Sequence, residues 1–509
     1  MHGAPPAQAL ALQRRLPSAP DPLALFAALT GAGRRADTML LERNLGPTLL
    51  MDQAALRIET RGGEVALQAL SAGGHEMLEE IRRHFPDRVA AAGTGVLRLL
   101  FPGVSGDDAE GRLLAASPLD VLRCLTGLGS ASREEPFTIA LLGVSAFDQV
   151  DLFEDLPANR EDPLGFPDSL YWLAESLIVF EAGAPPRLLC TAFGGSREAY
   201  HDAASRLADL YERCAAPPPL PAPPAPAAFE GVEVDLDDEA YGAVVAALKE
   251  HIAAGDIYQV VPSRTFRAPC ADPLLAFHAV RRLDPSPYRF FVSAPGFHLF
   301  GASPETSVRV FLHEGWKTLE VKPIAGTRPR GATPDEDDRF EAELRLDGKE
   351  LAEHMMLVDL ARNDVARITL PGTRRVAKLM TVERYARVMH LVSSVTGTMR
   401  IGYDALHALQ ACLNVGTLTG APKIRATELL RRFEKTKRGP YGGAIGWLSG
   451  DGLMDTGVVI RSAVVKDGIA FVRAGAGVVY DSDPRREADE TWRKASALLS
   501  ILAGAGADR

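Results

Sequence analysis

Two short acidic segments hold the residues best suited to chemistry. One is Glu350-Leu-Ala-Glu353-His354 and the other is Glu487-Ala-Asp-Glu490. In each, two glutamates stand three residues apart, which on a helix puts both carboxylates on one face. Crowded carboxylates repel, so such a face is unfavourable unless a cation or a shared proton sits there. Two such faces in one region suggest a site for a hard divalent metal with oxygen ligands, Mg²⁺ foremost. Either segment alone also reads as a solvated acidic helix face. Zinc fits less well, because a glutamate stands where the first histidine of a zinc-protease helix would be.

Other residues stand out by their surroundings. Arg461 lies in Val-Val-Ile-Arg-Ser-Ala-Val-Val, an otherwise apolar strand-like run. An unpaired arginine is costly to bury, so an anionic ligand or a carboxylate partner is expected. Gly475-Ala476-Gly477 has no third glycine and no helix start, so it is no dinucleotide fingerprint. It reads either as a tight turn or as N–H groups offered to an anion. Gly416-Thr-Leu-Thr-Gly420-Ala-Pro-Lys423 lacks the Gly-Lys-Ser/Thr order of a phosphate loop. His390 stands in an apolar run and by default is a core histidine. Glu305 follows a proline turn and by itself could equally be a surface residue.

These residues need elements to position them. The pattern predicts helices over residues 237–254, 343–363 and 489–502, with Gly255 ending the first. It predicts a strand over residues 258–263 and several short strands within residues 439–465. Residues 55–60 and 64–70 read as a hairpin around Gly62-Gly63, and 137–144 as a buried strand. The elements alternate without the spacing of a parallel doubly wound sheet, so an α+β or layered architecture with largely antiparallel sheets is expected. The Pro/Ala tract 215–228 cannot be helical and reads as an exposed, semi-rigid linker between residues 1–214 and 229–509.

Bulk properties narrow the function. A chain of 509 residues is long enough for more than one core. With 46% apolar and 24% charged residues it reads as a soluble globular protein. A net charge of −10 argues against a nucleic-acid binder. Five scattered cysteines argue against a disulfide framework or structural zinc, and fit a reducing cytoplasm. No signal peptide is expected from Met-His-Gly-Ala-Pro-Pro, and no run is long and apolar enough to span a membrane.

Taken together, a series of segments resembles the chorismate-utilising enzymes, and most closely their anthranilate synthase component I branch. The segments are Gly255-Asp-Ile-Tyr-Gln259, Gly301-Ala-Ser-Pro-Glu305, Pro323-Ile-Ala325-Gly326-Thr327, the Glu350–Asp364 stretch and Val388-Met-His390-Leu-Val. They continue with Gly416-Thr417, Gly439-Pro-Tyr441-Gly-Gly, Val459-Ile-Arg461-Ser, Gly475-Ala476-Gly477 and Glu487-Ala-Asp-Glu490. The match covers nearly all of residues 229–505, and residues 1–214 match more loosely. The resemblance implies an α/β/β/α sandwich with two mainly antiparallel sheets. It also implies that Glu353 and Glu490 ligate Mg²⁺, with Glu350 and Glu487 supporting them. The metal would hold the ring carboxylate of chorismate. Arg461, Tyr441, Lys494 and Gly475, Ala476 and Gly477 would hold the enolpyruvyl group, and Gly326, Thr327 and Thr417 would line the ring site. Glu305 would protonate the departing 4-hydroxyl, and His390 would move a proton as pyruvate leaves.

Further implications come from differences among relatives. Members that add water carry a lysine base where this chain has Gln259, so ammonia is the expected nucleophile. Aminodeoxychorismate synthase places a lysine where this chain has Ala325, so amination at C2 and an ortho product are expected. The chain contains no Gly-x-Cys-x-Gly nucleophile, so a separate glutamine amidotransferase subunit is implied, in a heterodimer or heterotetramer. The product, anthranilate, feeds tryptophan biosynthesis or another anthranilate-derived pathway. Feedback-regulated relatives bind tryptophan where this chain has Glu42, Arg43, Pro287, Tyr288, Arg289 and Gly457. Arg43 and Arg289 stand in place of smaller or uncharged groups, so weak or lost inhibition is expected, although Glu42 could neutralise one of them. The nearest alternative is a 2-amino-2-deoxyisochorismate synthase that stops before pyruvate loss. A catalytically dead regulatory module is opposed by the intact set of Glu305, Glu353, His390, Arg461 and Glu490.

Overall fold

The strand Thr38–Arg43 shows how the layers arise. Successive side chains of a strand point to opposite faces. Met39 and Leu41 enter a core with Leu142, Trp172, Phe290, Val292 and Ile445, all supplied by strands. Leu40 points the other way, into a core with Phe26, Phe277, Leu210 and Leu499, all supplied by helices. A third core packs Met77, Leu122, Val358 and Leu406 of four helices against a further sheet face. Helix, sheet, sheet and helix thus lie in four layers.

The structure is a computed structural model that describes residues 9–104, 108–128, 135–159, 161–215, 217–223, 225–227, 231–385 and 388–506. Residues 1–6, read above for a signal peptide, lie outside these, as do residues 216, 224 and 228 of the Pro/Ala tract. Among the described residues all strand ladders are antiparallel. The expected α+β architecture is present, with one refinement: the two sheets form one continuous network. The bulged strand Thr48–Arg61 pairs at its start with Thr38–Arg43 and at its end with Glu64–Ala69. It thereby passes from one sheet to the other. Residues either side of the Pro/Ala tract share both sheets, since Thr38–Arg43 pairs with Tyr288–Ala294 and Ala140–Ser145 with Ala444–Ser449. Among the described residues no helix is long and apolar enough to cross a membrane.

Several local expectations are redrawn. The helix expected over 343–363 is two, Pro334–Leu346 and Gly348–Ala366. Asp347 ends the first and caps the second, accepting from the Lys349 and Glu350 N–H groups. The helix expected over 489–502 begins earlier, at Pro484, so Glu487 lies in its first turn. The strand expected over 258–263 is two, Gln259–Val260 and Ser263–Pro269, with Pro262 between them. The Pro/Ala tract is less free than a linker, for Leu220 packs on the helical core and Ala227 donates to the Ser500 carbonyl. The helix Asp238–Ala253 is as expected, with Asp237 capping it through the Ala240 N–H.

Candidate active site

Both acidic segments are helical and face a common space. Glu350 and Glu353 lie on Gly348–Ala366, and Glu487 and Glu490 lie on Pro484–Gly506. Burial pushes the Glu353 carboxyl above the usual glutamate range, and the charges of Glu350 and Glu490 push it further. Burial and the charge of Glu490 do the same to Glu487. Glu490 therefore makes itself felt on both helices. Gln259 donates from Nε2 to Glu353 Oε1 at 3.1 Å, while its buried Oε1 has no partner. A Cβ on Gly477 would lie 2.8 Å from Gln259 Nε2, so a larger residue there would push the Gln259 amide off Glu353. Among the described residues no three His, Cys, Asp or Glu side chains already form a metal cluster. Mg²⁺ keeps several waters and takes only one or two protein carboxylates, so this donor set suits it without a preformed cage.

Glu305 and His390 have opposite electrostatics. Glu305 is 5% exposed, and burial raises its carboxyl from 4.5 to about 7. Thr417 donates from Oγ1 to Glu305 Oε1 at 2.7 Å, which partly offsets that rise. His390 is buried, which lowers the basicity of its imidazole. Its Nδ1 lies 3.1 Å from the Gly326 carbonyl and 3.0 Å from Thr327 Oγ1. A carbonyl only accepts, so Nδ1 carries the proton and donates it. Nε2 is then a free lone pair, and it is buried without a partner. Gly326 has φ +70°, and a Cβ there would lie 3.2 Å from Glu350 Oε2, linking the His390 side of the site to the acidic face. Arg461 acts electrostatically on both Glu305 and His390, which places them in one site.

Arg461 departs from expectation. It is not buried within a strand but stands in a bend between Met454–Val458 and Ser462–Lys466. Its φ is +47°, its side chain is 42% exposed, and it lies 3.4 Å from Asp284. The apolar run belongs to two strands, and their junction turns the arginine outward. A left-handed arginine stores strain of the kind found at ligand sites. Gly475 and Gly477 also form no tight turn. Gly475 ends the strand Ile469–Gly475, and Val478 bridges Val260. A Cβ on Gly475 would lie 2.6 Å from the Pro262 carbonyl, so close approach explains the glycine. The Ala476 N–H is taken by Pro262. The buried Tyr441 hydroxyl pairs with the Gly475 backbone. Lys494 reaches the Gly475 carbonyl at 2.9 Å and Glu490 at 2.8 Å, so one cation serves both halves of the site.

The residues linked to tryptophan are occupied by one another. Arg43 makes a two-pronged pair with Asp455 at 2.7 to 3.0 Å and lies over the Tyr288 ring, 3.8 Å from its centroid. Tyr288 donates to Asp455 at 2.6 Å. Gly457 admits that ring, since a Cβ there would lie 2.7 Å from it. Glu42 pairs with Arg281 and, at 3.3 Å, with Arg289. The Pro287 carbonyl accepts from Asn44. Sequence reasoning assigned no role to Asp455, and its only signal was its place beside Thr456 and Gly457. It also passed over Lys349, which offsets the charge at Glu353 and Glu487.

Comparison with known proteins agrees with this geometry. Residues 104–500 match the chorismate binding enzyme family. The chain is 44% identical to anthranilate synthase component 1 of Vibrio cholerae, over 96% of both chains. The chain belongs to the chorismate-binding enzymes, in the anthranilate synthase component 1 family. It is also 46% identical to a pyocyanine-specific anthranilate synthase component 1 of Pseudomonas aeruginosa, covering 90% of this chain and 87% of that one. The crystal structure of anthranilate synthase component I from Streptococcus pneumoniae superposes with a TM-score of 0.71 at 29% identity, covering 90% and 92% of the two chains.

Proposed function

We propose that the chain is the large, aminating subunit of an anthranilate synthase, converting chorismate and ammonia to anthranilate and pyruvate. The observation that carries the reading is the contrast between Glu305 and His390. Burial raises one carboxyl to about 7, so it can give up a proton near neutrality, and pushes one imidazole toward its neutral form, an acid and a base set apart by their environments.

In this reading ammonia adds at C2 while the C4–O bond breaks. Glu305 gives its proton to the departing hydroxyl, which leaves as water. His390 Nε2 then takes the C2 proton as the enolpyruvyl ether bond breaks, and the ring becomes aromatic. Gln259 can only hydrogen-bond, so water is not activated there, whereas ammonia needs no base. Tyr441, Arg461, Lys494 and the Gly475–Gly477 backbone hold the enolpyruvyl group. Gly326, Thr327 and Thr417 line the ring, and Thr417 and Thr327 also aim Glu305 and His390. Glu353 and Glu490 would hold Mg²⁺, with Glu350 and Glu487 behind them. That ion would supply charge neutralisation for the ring carboxylate.

Ammonia would come from a separate glutamine amidotransferase subunit in a reducing cytoplasm, where the free cysteines persist. Tryptophan inhibition would be weak, because Arg43 already fills the space between Tyr288 and Asp455. The test is a reaction with chorismate, MgCl₂ and an ammonium salt, with and without L-tryptophan. Fluorescent anthranilate and equimolar pyruvate are expected. A nonaromatic amino product would point to 2-amino-2-deoxyisochorismate synthase, and a 4-amino product to aminodeoxychorismate synthase. Half-inhibition at micromolar tryptophan would overturn the regulatory reading.

A further inference from the structure

Behind Tyr441 and Gly475 lies a buried cluster that the proposed chemistry does not use. Glu434 accepts from Arg438 at 2.5 and 2.8 Å and from Arg473 at 2.9 Å. It also accepts from the N–H and Oγ of Ser263, both at 2.8 Å. Glu434, Arg438 and Arg473 are 6%, 2% and 8% exposed, so the cluster is almost dry.

Its other hydrogen bonds reach four of the chain segments that line the site, those of Gln259, Thr417, Tyr441 and Gly475. Arg438 donates to the Leu418 carbonyl at 2.6 Å, one residue past Thr417, and to the Val261 carbonyl at 2.7 Å, two past Gln259. Arg473 donates to Ser263 Oγ and to the Lys437 carbonyl, both at 2.8 Å, and Ser263 is paired with Gly475 across the strands. Residues 436–441 lead to Tyr441, whose ring centroid lies 5.8 Å from the Arg438 guanidinium.

Two arginines share one carboxylate here. Asp148 lies nearby but is paired with Arg431 at 2.8 Å, and Arg431 also reaches Asp151. The cluster itself thus holds one more arginine than carboxylates, while beside it Asp148 and Asp151 share Arg431 and Asp148 also acts on Arg438. The cluster's field is felt at the Tyr441 hydroxyl, where the two arginines favour the charged form and Glu434 opposes it less strongly. By contrast, the cations that touch the site directly are open to solvent, with the Arg461 and Lys494 side chains 42% and 48% exposed. Exposed charges are screened by salt, and buried ones much less.

We propose that the Arg438–Glu434–Arg473 cluster is a positioning and electrostatic unit of the substrate site. It ties the Gln259, Thr417, Tyr441 and Gly475 segments together and adds a fixed positive potential for the carboxylate held beside Tyr441 and Gly475. The inference rests on the reading of the chain as a chorismate enzyme.

Two substitutions of Arg473 separate charge from architecture. Arg473→Lys keeps the charge but loses the fork of hydrogen bonds, whereas Arg473→Gln loses the charge. The KM for chorismate is expected to rise about tenfold in Arg473→Gln, on the order of what one buried charge contributes at medium range with an effective dielectric constant of about 20. In Arg473→Lys it should stay within about threefold of the wild type, although both variants melt at lower temperature. KM rising equally in both, in step with Tm, would overturn the electrostatic role. A second measurement needs no variant. The wild-type KM should change less than about threefold between 50 and 500 mM KCl, because a dry charge is poorly screened. A steep rise would mean that exposed Arg461 and Lys494 carry the recognition. Failure of the wild type to bind or convert chorismate would instead overturn the functional reading, and binding by equilibrium dialysis separates the two outcomes.

Discussion

Replacing Glu305 by glutamine should abolish most activity yet stabilise the protein at alkaline pH. Glu305 binds its proton more tightly in the folded chain, where burial raises the carboxyl from 4.5 to about 7. Stability from that proton is fully present below the unfolded value and is lost as pH rises through about 7. The shift of about two and a half pH units corresponds to roughly 3 kcal/mol of penalty for a buried carboxylate at pH 8. Glutamine is never charged, and its amide oxygen can still accept from Thr417. The Glu305→Gln variant should therefore gain about 2 to 3 kcal/mol on the wild type between pH 5 and pH 8. Urea midpoints of both proteins at the two pH values, converted with a common m-value, read this difference. Anthranilate formation should fall about 100-fold or more, as expected on losing a general acid. An advantage equal at both pH values, or larger at pH 5, would refute the burial argument even if activity were lost.

The remaining predictions concern the acidic face, the base and the filled pocket. Glu353→Gln and Glu490→Gln should each raise the Mg²⁺ concentration for half-maximal activity at least about tenfold, as losing a carboxylate from a hard-cation site implies. Full activity at the wild-type Mg²⁺ requirement would sink the assignment. His390→Ala should slow pyruvate release about 100-fold or more while amination continues, so a nonaromatic amino intermediate should accumulate on chromatography. Unchanged anthranilate yield would remove His390 from the second step. Arg43→Ser should lower stability by about 1 to 3 kcal/mol, because it leaves buried Asp455 with only Arg309, 3.8 Å away, as its cation. The same variant should become at least about tenfold more sensitive to tryptophan, and unaltered sensitivity would show that Arg43 does not occupy the effector space.

Much of the local structure was legible because it depends on near neighbours. The i and i+3 spacing of Glu350 and Glu353 needs only a helix to bring them to one face, and the helix is there. The hairpin at Gly62-Gly63 follows from alternation and a glycine with φ +54°. Where a local choice was ambiguous, reading failed in instructive ways. Asp347 breaks the expected helix at 343–363, because its side chain competes for the Lys349 and Glu350 N–H groups. Arg461 lies in an apolar run that looked like a single strand. The chain bends there, and two strands of different pairing share the run.

The sequence by itself determined the family, through ordered motifs spread over residues 229–505, and the residue types available for catalysis. It also determined that four glutamates could lie on two helix faces. Which charges meet was decided only by the tertiary structure. Arg43 finds Asp455, more than four hundred positions away in the chain, while Glu42 takes Arg281 and Arg289. The protonation of Glu305 was likewise invisible, since the same glutamate on the surface would be an ordinary carboxylate. Burial and pairing are properties of segments brought together across the fold, and no spacing along the chain encodes the distance between them.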